Sequence, residues 1–148
     1  MRKHLATVIC ITAAALALSG CAGAESKEDK AKALALDFAH SRESHDGKYC
    51  DLLDGRSANQ IAECKKDEAD LKTKAAANPQ PAMNPKVSQT IGREDKFGVA
   101  VEVTQAGTQQ FVAVEAVPNG DGFKIGKWNY ADKADYGTDQ VITKTLGW

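Results

Sequence analysis

A proline-rich segment, residues 75–86, divides the chain into two halves whose apolar residues repeat with different periods. Before the segment, apolar side chains recur every three or four residues, which is the spacing of an amphipathic helix. After it, apolar and polar residues alternate, which is the spacing of a strand with one buried face. Proline removes the amide that a sheet ladder needs and restricts the residue before it, so the segment predicts a hinge. We therefore expect an α+β fold, in which N-terminal helices pack on a curved antiparallel sheet of about four strands.

Two helices in the first half begin at recognisable caps. Ser26 with Asp29 has the spacing of a capping box, and Ser57 with Gln60 is a second example that fits the motif better. In the second helix the apolar residues form a narrow seam, and we expect Glu68 to lie away from that seam, on the solvent side.

The second half predicts a meander of antiparallel strands. The uniformly apolar run 111–117 is typical of a central strand that is buried on both faces. Residues 118–122, Pro-Asn-Gly-Asp-Gly, predict a hairpin turn. The buried parity switches at Gly126, which indicates a bulge. We expect residues 132–148 to form a polar C-terminal tail, or a short edge strand at residues 141–142.

The N-terminus has the organisation of an export signal. A basic head at residues 2–4 precedes an apolar run over residues 5–18, and residues 18–21 read Leu-Ser-Gly-Cys. The run of about 14 residues suits a signal core, whereas a membrane-spanning helix needs roughly 20. A transmembrane helix and an ordinary cleavable signal are the alternatives. The Leu-Ser-Gly-Cys sequence resembles the lipobox of bacterial lipoproteins, and this resemblance implies cleavage before Cys21 and acyl chains such as palmitate on its sulfur.

The cleavage site sets the expected domain organisation. We expect a signal peptide at 1–20, a lipidated tether at 21–25, one α+β domain at 26–131 (helical part 26–77, hinge 75–86, strand part 86–131), and the segment 132–148. The net charge of −1 becomes −3 once Arg2 and Lys3 are removed, and no basic cluster remains. This balance argues against nucleic-acid binding and against electrostatic docking on anionic lipid. We therefore expect attachment through acyl chains on Cys21 alone, at the extracytoplasmic face of the cell membrane.

Two cysteines remain once the signal peptide and the acylated residue are set aside. Cys50 and Cys64 form an even pair in an exported chain, where disulfides persist, and the pair predicts one bridge. Two separately buried thiols are the alternative. A metal site is not expected, because His40, His45 and Cys50 match no known ligand spacing.

Several of these features together carry a resemblance to known proteins. They are the helix ending Phe-Ala-His at 38–40, the segment 46–53, Cys64, and the hairpin strand 120–125. The chain resembles a small actinobacterial-type lipoprotein with a cystatin-like or nuclear-transport-factor-2-like domain over residues 26–131. A fold resemblance of this kind does not transmit function.

We expect no catalytic, cofactor-binding or metal-binding residue. Enzymes of the family that the chain resembles, isomerases and cyclases, place an Asp, Tyr or His between helix and sheet. Asp37 and Tyr49 are the candidates for that place here, and the sequence assembles no acid–base pair around them.

A pocket for a small apolar ligand would need aromatic walls between helix and sheet. We expect the same five aromatic residues either to line such a pocket or to fill the core: Phe38, Phe97, Phe111, Trp128 and Tyr130. The function that we predict is a lipid-anchored interaction module, an accessory protein of an integral membrane or envelope complex. The alternatives are a carrier or sensor of a small apolar ligand, and an enzyme of the isomerase or cyclase type.

Overall fold

In the described part of the chain, three helices precede four strands and a short final helix. The computed structural model describes residues 25–79, 84–105, 107–137 and 140–148. The predicted signal peptide and the predicted acylation site, Cys21, lie outside these residues. The elements are helices α1 (Lys27–Ser44), α2 (Tyr49–Leu52) and α3 (Ala58–Ala76), strands β1 (Lys86–Arg93), β2 (Lys96–Gln105), β3 (Thr108–Asn119) and β4 (Gly122–Asp132), and helix α4 (Val141–Leu146). The predicted α+β class is confirmed.

The predicted caps begin α1 and α3. The backbone N–H of Asp29 donates to Ser26 Oγ at 3.1 Å. At α3 the box is reciprocal, because Gln60 N–H donates to Ser57 Oγ at 3.4 Å while Ser57 N–H donates to Gln60 Oε1 at 2.9 Å. These bonds satisfy amide groups that have no partner within the helix, and they fix where each helix starts.

The four strands form one antiparallel sheet in the order β1-β2-β3-β4. β3 lies inside the sheet, and its residues 111–114 are all buried, as predicted for a central strand. The predicted bulge is present, because Glu115 pairs with Lys127 while Ala116 pairs with Ile125, which leaves Gly126 as the extra residue. A bulge bends its strand, so β4 curves at this point.

Helix α1 covers one face of the sheet. Its buried residues recur at helical spacing and meet every second residue of the inner strands, so that one continuous core forms between helix and sheet. The helix contributes Ala31, Leu34, Ala35, Phe38 and Ala39, and the strands contribute Val99, Val101, Val103, Val112, Val114, Ala116 and Ile125.

Helix α4 covers the opposite face, where we predicted a tail or an edge strand. Val141 and Ile142 suggested a strand because they are consecutive β-branched residues. In the structure Ile142 and Leu146 lie one helical turn apart, and both are buried against Ala113 and neighbouring residues of the sheet. β2 and β3 have a second apolar face on the side opposite α1. The buried residues of α4 shield this face from water.

The close packing of α4 gives the first testable prediction. A β-carbon added at Gly98 would lie 2.5 Å from Cγ2 of Ile142, which is fully buried and has no room to move. We expect Gly98→Ala to lower the free energy of unfolding by about 1–3 kcal/mol, measured by urea denaturation. Gly92→Ala is the matched control, because its added carbon lies at ordinary contact distance, 3.4 Å, from the Phe97 ring. Equal stability of the two variants would contradict the packing of α4 on the sheet.

Candidate functional site

Helix α3 is exposed along most of its length. Glu68 is the one residue of the helix that the structure buries, with 2% of its surface exposed, while Ile61 and Cys64 are half-buried. Every described residue from 69 to 79 is exposed, including Leu71 at 40%. The helical part after Glu68 extends about 12 Å at 1.5 Å per residue, and we call it the α3 overhang, residues 69–76. Among the described residues, no helix is both long enough and apolar enough to cross a membrane.

A disulfide joins α3 to α2. Cys50 and Cys64 are bonded, with a Cα–Cα distance of 6.0 Å, as the sequence predicted. Lys65 Nζ also pairs with Asp51 Oδ2 at 2.7 Å, although both side chains are about half exposed. Exposed pairs of this kind contribute little to stability, so the disulfide is the stronger of these two ties between α2 and α3.

Three donors converge on the carboxylate of Glu68. Tyr49 Oη donates to Oε1 at 3.0 Å, and Arg42 Nη1 donates to the same oxygen at 3.2 Å. His45 Nδ1 lies 2.9 Å from Oε2, at hydrogen-bond distance. We call these four residues the Glu68 cluster. It joins α1, the α1–α2 loop, α2 and α3 at one point, and it supplies the counter-charge that a buried carboxylate requires.

The Arg42 guanidinium lies between two aromatic rings. Its Cζ atom is 4.9 Å from the centroid of the Tyr49 ring and 5.0 Å from that of Trp128. Burial acts to lower the pKa of Arg42, but hydrogen bonding and charge interactions with Tyr130 and Tyr49 outweigh burial and raise it. Burial raises the pKa of the Tyr49 hydroxyl despite the nearby arginine charge. The arginine therefore stays charged, and the tyrosine keeps the proton that it donates to Glu68.

Hydrogen bonds within residues 41–49 fix the loop between α1 and α2. Ser41 Oγ donates to Asp46 Oδ1, the backbone N–H of Lys48 donates to the same oxygen at 2.9 Å, and Tyr49 N–H donates to Ser41 Oγ at 2.7 Å. His45 ends α1 in the left-handed conformation, with φ of 49°. These bonds fix the backbone of the loop and of Tyr49 through groups within residues 41–49.

The loop predicts a specific acid dependence of stability. Burial acts to raise the pKa of Asp46, but the hydrogen bonds from Ser41 and Lys48 outweigh it and lower the pKa to about 2. A folded-state pKa below the unfolded value contributes stability above about pH 4 that disappears as the pH falls towards 2. We expect Asp46→Asn to cost roughly 1 kcal/mol at neutral pH, since solvent screens this carboxylate, and to cost progressively less below pH 4. Urea denaturation of both proteins between pH 3 and pH 7 measures the difference, and a constant difference over that range would contradict the assignment.

The five aromatic residues proposed for a pocket do not lie together. Phe38, Trp128 and Tyr130 stack on the α1 side, with ring centroids 5.3 Å apart for the first pair and 5.7 Å for the second. Phe97 stacks instead on Phe123, at 5.6 Å. Phe111 lies in the other core, beneath α4. The structure therefore does not bring these five residues together in one place, because side chains alternate between faces along β3 and the residue next to Phe111 faces α1.

The candidates for acid–base catalysis are also separated. Asp37 and His40 are exposed on α1, while Tyr49 belongs to the Glu68 cluster. In the part of the chain that the structure describes, no group of three or more His, Cys, Asp or Glu side chains is placed to hold a metal ion. A cavity of about 290 Å³ lies beside α4, but Trp148 Nε1 donates to Glu115 at 2.9 Å there and Lys127 Nζ donates to the Leu146 carbonyl at 2.8 Å. The side chains of Glu115, Lys127 and Trp148 at that cavity are therefore already hydrogen-bonded within the protein.

Sequence reasoning missed Glu68 and Arg42 as site residues. We expected Glu68 on the solvent side of α3, and the structure buries it instead. One signal was available, because Glu68 lies four residues after Cys64 and three before Leu71, on the seam itself. The partner that makes burial tolerable, Arg42, is 26 residues away in the sequence, so no local pattern identifies it.

Comparison with known proteins gives two similar solved structures. An NTF-2-like protein of unknown function from Silicibacter pomeroyi matches 68% of this chain and 91% of its own, with 14% identity and a TM-score of 0.48. A de novo designed β-sheet protein of cystatin fold matches 51% of this chain and 96% of its own, with 20% identity and a TM-score of 0.31. No family model matches the chain, and no curated protein matches it. Similarity of this kind concerns the backbone and transfers no ligand or activity.

Proposed function

We propose that the protein is a lipid-anchored interaction module at the extracytoplasmic face of a bacterial cell membrane. It acts by binding, as an accessory protein of a membrane or envelope complex, and not as an enzyme. The observation that carries this proposal is the α3 overhang, which is exposed on every side while α3 is fixed by a disulfide and by the Glu68 cluster.

A helix held in this way suits recognition by another protein. Its conformation is set before binding, so a partner does not have to order it, and less entropy is lost on association. Leu71 provides an apolar contact point on the overhang, with Lys72 and Asp70 beside it in the sequence. Apolar groups surrounded by polar ones are typical of protein–protein contacts.

The anchoring part of the proposal is supported by the sequence. The lipobox-like residues 18–21 precede a tether of four residues, 22–25, which spans at most about 14 Å. A domain on such a tether stays next to the bilayer, where the extracytoplasmic surfaces of integral membrane proteins are within reach. Two or more acyl chains hold a protein stably without any basic patch.

Replacement of the acylated residue tests the anchor. We expect Cys21→Ser to abolish incorporation of labelled palmitate and to leave the signal uncleaved by lipoprotein peptidase, because that enzyme acts on the acylated cysteine. Wild-type protein should carry the label and partition into the detergent phase of a Triton X-114 extraction. Cleavage and acylation that persist in the variant would overturn the assignment of Cys21.

Purification from the native membrane tests the interaction. The acylated full-length protein is extracted in mild detergent, and co-purifying proteins are identified by mass spectrometry and quantified against the bait. We expect a stoichiometric integral membrane partner that is lost with Leu71→Asp and retained with Asn119→Asp, which adds the same charge at the exposed end of β3. Recovery of the bait alone, or equal retention by both variants, would count against the overhang as the binding surface.

A further inference from the structure

We propose that Arg42, His45 and Tyr49 form a carboxylate-binding site, which α3 fills with its own Glu68 and which an external carboxylate occupies when α3 moves away. The site itself stands on geometry alone. One such external carboxylate is an acidic group of a partner protein, and this part of the proposal rests on the proposed function.

The donors have the arrangement that carboxylate recognition requires. Both oxygens are engaged, since Oε1 accepts from Tyr49 at 3.0 Å and from Arg42 at 3.2 Å, while Oε2 is 2.9 Å from His45 Nδ1. Hydrogen bonds from a charged donor to a carboxylate are stronger than neutral ones. The guanidinium and the phenol contact one oxygen, and the imidazole contacts the other. This arrangement favours an anion that has two oxygens, as a carboxylate does.

Two of the three donors, Arg42 and Tyr49, have positioning contacts outside α3. Arg42 is stacked between the rings of Tyr49 and Trp128, and Tyr49 is also held through its backbone by Ser41. All three donors lie within residues 42–49, on the body of the protein. If α3 moves, Arg42 and Tyr49 therefore keep these contacts, His45 loses the side-chain contact that the structure gives it, and Arg42 loses its ion pair with Glu68. An unpaired and partly buried charge is unfavourable, so the vacated site favours the entry of another carboxylate.

Helix α3 is suited to act as a displaceable occupant. Glu68 is its one buried residue, and the overhang beyond it contacts solvent. A tethered group competes with free ligand at an effective concentration that reaches millimolar or more, and the disulfide at Cys64, one turn away, raises that value further. External carboxylates at low concentration are thereby excluded while α3 is in place.

Rescue of a truncated side chain is the direct test. Glu68→Ala removes the side-chain methylene and carboxylate that correspond to an acetate ion, so acetate fits the space that is left. We expect about 100 mM sodium acetate to raise the melting temperature of this variant by several degrees, since a ligand that binds only the folded state stabilises it. Acetamide, and chloride at equal ionic strength, should give no such rise. Wild type and Glu63→Ala, which alters an exposed residue of the same helix, should not respond to acetate. An equal response to all three solutes, or no response to acetate, overturns the site.

A second measurement uses the wild-type side chains and does not depend on folding of the variant. Reduction of the disulfide lowers the effective concentration of Glu68, and hydrogen exchange of residues 65–76 reports its release. We expect acetate, or a glutamate-rich peptide, to speed this exchange about twofold in the reduced protein and to leave it unchanged in the oxidised protein. A response to acetate alone identifies small acids as the ligands, and a response to the peptide alone identifies acidic protein segments. Absence of both responses overturns the proposal, whatever the membrane purification recovers.

Discussion

Replacing Glu68 by glutamine is expected to lower the free energy of unfolding by about 3 kcal/mol, although the side chain keeps its size. Breaking a buried ion pair costs about 3–5 kcal/mol, because the remaining charge loses its partner. The lower end applies here, since Arg42 retains 22% exposure. The neutral amide also offers one acceptor oxygen where the carboxylate offered two, so at least one of the three hydrogen bonds is weakened. Urea denaturation at neutral pH, followed by circular dichroism, measures the loss.

Glu63→Gln is the matched control for this experiment. Glu63 lies on the same helix and is exposed, so the same chemical change should alter stability by no more than about 0.5 kcal/mol. The difference in stability between the two variants measures the effect of burial and ion pairing, because any general effect of removing a charge from α3 is common to both. If both variants lose the same small amount, Glu68 does not have the buried partners that the structure gives it.

Removing the disulfide is expected to cost a similar amount, with the loss concentrated in α3. The double substitution Cys50→Ala, Cys64→Ala opens a loop of about 15 residues, which corresponds to roughly 3 kcal/mol in the chain-entropy model. Helix α3 has few other attachments, so its amides should lose protection from hydrogen exchange well before those of β3, which lies inside the sheet. Denaturation gives the total loss, and exchange measured by mass spectrometry gives its location.

Chemical reduction provides the control for the double substitution. A reductant should lower the stability of the wild type towards that of the double variant, and it should leave the double variant unchanged. If the protein is exported as proposed, the wild type should also carry no thiol that reacts with an alkylating reagent in the absence of reductant. A reactive Cys64 under those conditions would show that the bridge does not form in the exported protein.

Local chemistry explains which parts of the fold were predictable. The caps at Ser26 and Ser57 and the bulge at Gly126 each depend on residues a few positions apart, and each is present. The order of helices and strands follows from periodicity, which is also local. The uniformly apolar composition of residues 111–117 is also a local feature, and it predicted that β3 is buried on both faces.

The features that were missed depend on distant parts of the chain. The spacing of Glu68 places it on the seam of α3, but Arg42 and Tyr49, which make its burial tolerable, are brought to it only by the packing of α1 and α2. The face on which Phe111 lies depends on strand register and not on its neighbours in the sequence. The helix at Val141 forms because the outer face of the sheet needs a cover, and a pair of β-branched residues does not reveal that need.

The spacing of the two attachments of α3 has a mechanical consequence. Cys64 and Glu68 are one helical turn apart, and the exposed end of the helix lies beyond Glu68. A force that pulls on the exposed end acts first on the ion pair between Glu68 and Arg42. The disulfide at Cys64 bears the force that remains. The ion pair can break and re-form, whereas the disulfide keeps the helix attached. If a neighbouring membrane complex pulls on the overhang, the helix can therefore yield and return many times without being lost from the domain.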